Sequence, residues 1–226
     1  MNDLIIIGLP SKGRLKEKSL LFFSDSGLKI IQSEKERNYF GTIENNPNVK
    51  IIFLHAKEII QRLGDGTLDI GVSGLDLLKE SDKNLQGKIN IQKKLDYGNA
   101  NLVVAVPDDW IDVQTIADLE ETSFDIRSKR NTRLRVATKY PNLTNDFLIS
   151  KGVTQYKLIP SLGATETYPF IGSSEIITDI TSTGKTLADN NLRVLKDGLI
   201  LSSRACLFIA KKKAAKLQPF LKSLGR

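Results

Sequence analysis

Short apolar runs rich in β-branched residues recur along this chain, and between them the apolar positions take the wider spacing of a helix face. The runs predict strands at Leu4–Gly8, Val49–Leu54, Leu68–Val72, Asn101–Val106, Arg133–Thr138, Tyr156–Pro160 and Ile176–Ile180. The helical spacing predicts helices over about Arg14–Ser26, Ala56–Leu63, Leu75–Lys79, Thr115–Leu119 and Asn142–Lys151, with a terminal helix after Lys211-Lys212-Lys213. Pro107 closes a strand, Ser73-Gly74 turns one into a helix, and Tyr168–Ser173 makes a short helix or turn. Apolar strands alternating with amphipathic helices argue for an α/β fold with mostly parallel sheets.

One strand-to-helix corner carries most of the chemical information. Ile176–Ile180 runs into Thr181, Ser182, Thr183, Gly184, Lys185 and Thr186, ahead of a helix-like segment. That order gathers backbone N–H groups, four hydroxyls and a helix N-terminus, which is what a phosphate needs. Asp179 at the strand's end would repel the phosphate itself, so its natural partner is a pair of sugar hydroxyls. The corner therefore reads as a sugar-phosphate site. Gly184-Lys185-Thr186 mimics the end of a nucleoside-triphosphate loop, but the first glycine of that pattern falls on Asp179. An aspartate there has the wrong charge and lacks glycine's backbone freedom. The plain alternative is turn chemistry between a strand and a helix.

Asp69-Ile70-Gly71-Val72-Ser73-Gly74 echoes this corner, sharing Asp-Ile-x-x-[Ser/Thr]-Gly with Asp179–Gly184. The match is too short to demonstrate duplication. Two such corners nevertheless suit two α/β lobes facing each other across a cleft, because ligands in open α/β sheets bind beyond the carboxyl ends of strands. The expected lobes are 1–94 with 187–226, and 95–186, the second carrying the hydroxyl-rich corner. A further anion site is expected at Ser11-Lys12-Gly13-Arg14, where two cations open the first helix. Positive charge opposes the dipole of a helix start, and a diphosphate or triphosphate would give it a reason; the alternative is a solvated loop.

Composition narrows the partners. A net charge of +7 admits nucleic acid, an acidic protein or a polyanionic small substrate. The richest basic patch, Arg127, Lys129, Arg130, Arg133, Arg135 and Lys139, has only Tyr140 as an aromatic neighbour and matches no nucleic-acid-binding motif. No nucleic-acid partner is expected. No apolar run approaches the roughly 18 residues of a membrane span. The start, Met1-Asn2-Asp3-Leu4, has no basic leader, so a cytoplasmic protein off the membrane is expected. Cys206 lies in an apolar run and reads as a buried structural thiol, with no disulfide possible.

The segment Gly172-Ser-Ser-Glu-Ile-Ile-Thr-Asp-Ile-Thr-Ser-Thr-Gly-Lys-Thr-Leu187 resembles the phosphoribosyl-diphosphate-binding signature of the ATP phosphoribosyltransferases, which open histidine biosynthesis. Leu9-Pro-Ser-Lys-Gly-Arg-Leu15, Asp69-Ile-Gly-Val-Ser-Gly-Leu-Asp76, Leu102-Val-Val-Ala-Val-Pro107, Arg135-Val-Ala-Thr-Lys-Tyr-Pro-Asn-Leu-Thr144 and Leu162-Gly-Ala-Thr-Glu166 match in the same order. The resemblance implies a two-lobed, periplasmic-binding-protein-like type II fold with an inter-lobe cleft. Because the chain stops at Arg226, it resembles the short form, which lacks a regulatory domain. It then implies a homodimer within a hetero-oligomer, with a regulatory subunit similar to histidyl-tRNA synthetase.

The implied reaction has N1 of ATP's adenine displacing diphosphate from phosphoribosyl diphosphate, with Mg2+ carried by the substrate phosphates rather than by a protein cage. By the same resemblance, Thr181, Ser182, Thr183, Gly184, Lys185 and Thr186 receive the 5′-phosphate and Asp179 the ribose hydroxyls. Lys12, Arg14 and Arg37 meet the diphosphate, while Glu166 and Asp76 serve the ATP side. Such a reaction needs positioning and charge stabilisation rather than a covalent nucleophile. That suits a chain whose single histidine and single cysteine form no nucleophile–base set.

Two departures stand out. Many members carry Phe-Leu-Arg-Pro where this chain has Phe53-Leu54-His55-Ala56, and histidine supplies no permanent bidentate charge. Asn99 and Asn101 stand where some members have basic residues. The rival readings are a non-catalytic two-lobed binding protein and a regulatory subunit without chemistry. The Asp179 corner and the Lys12-Gly13-Arg14 loop weigh against the first of these.

Overall fold

The chain passes from one structural unit into another and back. In the computed structural model, which describes residues 4–32 and 39–224, Met1–Gly98 with Arg204–Arg226 form the first unit and Asn99–Ser203 the second.

The first unit contains β1 (Ile5–Pro10), α1 (Gly13–Asp25), β2 (Ile30–Gln32), β3 (Phe40–Ile43), β4 (Asn46–Leu54), α2 (Ala56–Asp65) and β5 (Ile70–Gly74). It continues with α3 (Leu75–Glu80), α4 (Lys83–Gln86) and β6 (Ile89–Lys94). The second unit follows with β7 (Ala100–Pro107), α5 (Ile116–Arg130), β8 (Leu134–Thr138), α6 (Pro141–Ser150), β9 (Tyr156–Pro160), β10 (Ile176–Thr181), α7 (Lys185–Ala188) and β11 (Leu192–Ser203). The chain then re-enters the first unit with β12 (Ala205–Ala210) and α8 (Ala214–Ser223).

Seven strands of the first unit are ordered β2-β3-β4-β1-β5-β12-β6. β1, β4 and β5 run parallel, because helices connect them; the remaining neighbours are antiparallel. Alternation along the strands sends Ile7, Leu9, Ile70 and Val72 into a core shared with Phe23 of α1 and Leu217 of α8. The opposite face packs Ile59 and Leu63 of α2. Gly8 and Gly71 face each other across β1 and β5. A Cβ on Gly71 would run into Ile59, so a residue without one lets α2 lie close to the sheet.

Asp69, just ahead of β5, is 1% exposed. Its carboxylate accepts a hydrogen bond from Ile6 N at 2.6 Å and pairs with Lys213 Nζ at 2.6 Å. Lys213 also donates to Gly66 O at 2.9 Å, which ties the C-terminal segment to the start of β5.

The second unit has a five-stranded sheet ordered β11-β7-β10-β8-β9. β8, β9 and β10 are parallel, and β7 is antiparallel to both β10 and β11. Ile116 and Leu119 of α5 and Leu148 of α6 cover one face, while Leu187 and Tyr168 pack on the other. Glu175, ahead of β10, receives Arg135 Nη2 at 2.6 Å and Arg135 N at 2.7 Å, locking the starts of β8 and β10 together. Burial alone would raise the Glu175 pKa, but these hydrogen bonds and the guanidinium charge outweigh it and hold the group below its ordinary value.

The α/β character and the crossover strands match the reading of the sequence. The expectation of mostly parallel sheets holds only where helices connect strands; β2, β3, β6, β11 and β12 make antiparallel pairs at edges and returns. α5 extends to Arg130, well past the expected Leu119. Its exposed face is densely charged and its buried stripe includes Ser123, so the apolar period fades after one turn. A capping box between Thr115 and Asp118 starts it, and Asn131 in the left-handed conformation ends it. The return to the first unit falls after Ser203, not at Leu187, because β11 pairs along β7. Among the described residues no helix is long and apolar enough to cross a membrane.

Replacing Lys213 with methionine strands the Asp69 carboxylate. Urea titrations should show a loss of about 3 kcal/mol, most of it recovered in Lys213→Arg.

Candidate functional site

β10 runs through the middle of the second unit's sheet, so its side chains are buried until the strand emerges at its carboxyl end. Asp179 sits at that transition, 9% exposed. Its Oδ1 accepts from Ile180 N at 2.8 Å, and its Oδ2 lies 3.9 Å from Lys139 Nζ. The register explains the second contact: Thr178 pairs with Thr138 across the parallel ladder, so the residues that follow, Asp179 and Lys139, end up side by side. Thr165 also hydrogen-bonds the carboxylate, and Glu166 is close enough for its charge to act on it. Burial raises the Asp179 pKa; Ile180 N–H, Lys139 and Thr165 oppose the rise, Glu166 reinforces it, and the net shift is upward.

The following loop is organised by its own hydroxyls. Thr181 Oγ1 accepts from Gly184 N at 2.8 Å, Thr183 Oγ1 accepts from Lys185 N at 3.3 Å, and Ser182 Oγ donates to Asn99 O at 3.1 Å. Gly184 has φ +76°, a left-handed value that favours glycine. Ser182, Thr183, Lys185 and Thr186 are exposed at the tip. The helix expected here is the single turn α7, four residues long, so its dipole adds little. What the loop exposes at its tip is therefore hydroxyls and the Lys185 side chain rather than a helix dipole.

In the first unit, the parallel strands β1, β4 and β5 deliver their following loops to one edge of the sheet. Lys12 caps α1 without a side-chain cap bond, Arg14 lies in the first turn, both are exposed, and no acidic residue shares that turn. His55 is the N-cap of α2, its Nδ1 accepting from Lys57 N at 3.3 Å. That capping bond gives the histidine a structural reason for its place after β4. Asp76 is 6% exposed in the first turn of α3, its carboxylate folded over Gly74, where a Cβ would collide with it. Arg37 lies outside the described residues.

The sequence echo divides in two. Gly74 and Gly184 both cap the helix that follows. Asp69, however, precedes its strand and is paired to Lys213, whereas Asp179 lies inside its strand with two strand residues after it. The two aspartates are therefore not equivalent. Lys139 and Thr165 are the site residues that sequence reasoning passed over. Lys139 was visible only as part of a basic patch, because its neighbour is set by strand register.

Residues 55–225 match the family model described as ATP phosphoribosyltransferase. An ATP phosphoribosyltransferase of Brucella melitensis is 46% identical over 209 residues, covering 92% of this chain and 90% of the relative. The solved ATP phosphoribosyl transferase (HisG:HisZ) complex from Thermotoga maritima matches with a TM-score of 0.75 and 25% identity, over 98% of this chain and 97% of that chain. The substrate-binding protein of an amino acid ABC transporter shares the fold, with a TM-score of 0.56 and 13% identity over 98% and 92% of the two chains.

The raised Asp179 pKa makes a signed prediction. The native state keeps this proton to higher pH than the unfolded chain, so the carboxyl lowers stability as pH rises above the ordinary carboxylate range. Asp179→Asn should therefore melt at a higher temperature than the parent at neutral pH, with the difference closing near about pH 3.

Proposed function

The chain belongs to the ATP phosphoribosyltransferase family, and on that premise we propose that the Asp179–Thr186 corner binds 5-phosphoribosyl diphosphate. The activity is transfer of the 5-phosphoribosyl group to N1 of ATP, giving phosphoribosyl-ATP and diphosphate, the first step of histidine biosynthesis. The observation that carries the assignment of the corner is the buried Asp179 carboxylate leading directly into an exposed loop of hydroxyls and amides. A carboxylate accepts from two vicinal ribose hydroxyls, and the loop donates to a phosphate.

Thr181, Ser182, Thr183, Gly184, Lys185 and Thr186 take the 5′-phosphate, with Lys185 and the tip hydroxyls reorienting toward it. Asp179 takes the ribose hydroxyls. The Glu166 charge acts on Asp179, which supports moving Glu166 from the ATP side to the sugar side. As C1 loses diphosphate, positive charge grows on the sugar, and two nearby carboxylates stabilise it. Lys139 balances them and prevents the bare pair from repelling the incoming anion. Lys12 and Arg14 are the first unit's cations for the diphosphate; their exposure on an acid-free helix start supports that role. Asp76, covered within α3, is left out of the substrate contacts.

The reaction calls for a divalent metal, and we propose Mg2+ riding on the diphosphate. Such an ion, carried by the substrate phosphates, would spread the charge of the departing group. The HisG:HisZ complex from Thermotoga maritima supports a hetero-oligomer, in which the second subunit is the synthetase-like regulator expected from the sequence. A place in amino-acid biosynthesis supports a cytoplasmic location.

Diphosphate release from ATP and phosphoribosyl diphosphate, measured with and without the regulatory subunit, tests the reading; no turnover in either setting would sink it. Asp179→Ala should lower kcat/KM about a hundredfold while the protein stays folded. Lys12→Ala and Arg14→Ala should each raise the KM for phosphoribosyl diphosphate about tenfold, with a smaller effect on the KM for ATP.

A further inference from the structure

Beneath the Asp179 corner, three threonine hydroxyls close a ring. Thr178 Oγ1 donates to Thr138 Oγ1 at 2.6 Å, Thr138 and Thr144 hydroxyls lie 3.2 Å apart, and Thr144 and Thr178 hydroxyls 2.6 Å apart. Each hydroxyl has one proton, so a head-to-tail circuit, Thr178 to Thr138 to Thr144 and back, uses every donor once. All three residues are buried, at 0% or 1% exposure. They come from three elements: β10, the end of β8 and the first turn of α6.

Packing alone does not call for this. Valines would fill the same space without burying a polar atom. What distinguishes the ring is the identity of its sequence neighbours. Thr178 immediately precedes Asp179, and Thr138 immediately precedes Lys139. Thr138 Oγ1 also accepts from Tyr140 N at 2.9 Å, so the backbone is held on both sides of Lys139. The lysine is the middle residue of a pinned turn, directed at Asp179 from 3.9 Å.

We propose that Thr138, Thr144 and Thr178 are positioning residues that hold Lys139 and Asp179 in register for the transfer reaction. This rests on the Asp179 corner being the phosphoribosyl-diphosphate site. The ring acts through Lys139 and touches no substrate itself.

Steady-state kinetics of the full chain with its regulatory subunit, beside thermal melting, test it. Thr178→Val and Thr144→Val should each lower kcat/KM for phosphoribosyl diphosphate about tenfold, and leave the KM for ATP within about twofold. Thr178→Ser, which keeps the hydroxyl, should restore the rate to within about threefold of the parent. In a Lys139→Met background, Thr178→Val should change kcat/KM by less than about twofold, since its route of action is gone. Full additivity of the two substitutions, or valine variants that melt lower but turn over at parental rates, overturns the proposal. If single variants fail to fold, the triple valine variant removes all three hydroxyls together; folded and slow supports the ring, folded and fully active overturns it. A parent that turns over while the ring variants match it refutes the ring alone. A parent with no turnover refutes the underlying reading as well.

Discussion

A carboxylate fixed on the central strand of a sheet is taken partly out of water, and burial works against its charge. The second unit is arranged around that conflict at Asp179. A central strand supplies the rigidity, and the parallel neighbour β8 brings one cation close without bringing it into tight contact. Thr165 and Ile180 N–H meet part of the carboxylate's hydrogen-bonding need, while Glu166 increases its electrostatic load. The carboxylate is thus left incompletely satisfied, with its pKa above the ordinary value. Such local dissatisfaction is expected where stability yields to function.

Asp69 shows the other solution to the same conflict. It is buried more deeply, yet Lys213 lies against it at 2.6 Å and Ile6 N occupies its second oxygen. A carboxylate so well matched has little capacity left for a ligand, and it serves to fasten chain segments together. Two aspartates embedded in nearly the same six-residue pattern therefore do different work. What separates them is whether the charge meets a close partner, and that depends on where the strand begins.

Much of this was legible in the sequence. The helix-connected strands, the Asp179–Thr186 corner and the cationic Lys12–Arg14 loop are local patterns, each readable from spacing and residue type. The strands β6 and β11 were not, because they carry exposed, polar positions and gain their place only by pairing with β12 and β7. Lys139 was hidden for a related reason. Its proximity to Asp179 comes from a register across 40 residues of sequence, between Thr138 and Thr178. His55, the departure from the arginine of the family pattern, is accounted for by a helix cap at the end of its strand.

The second unit is one uninterrupted stretch, Asn99–Ser203, set inside a first unit whose sheet is finished by β12. β12 is an interior strand, flanked by β5 and β6, and follows the whole second unit in the chain. During synthesis, the second unit emerges whole while β5 and β6 still lack the strand that joins them. Until the ribosome delivers Ala205–Ala210, the edges of β5 and β6 that β12 will pair stay open, and the core lacks Ala205, Leu207 and Ile209. A nascent chain stalled before that point would carry a complete Asp179–Thr186 corner on a protein whose first sheet is still open.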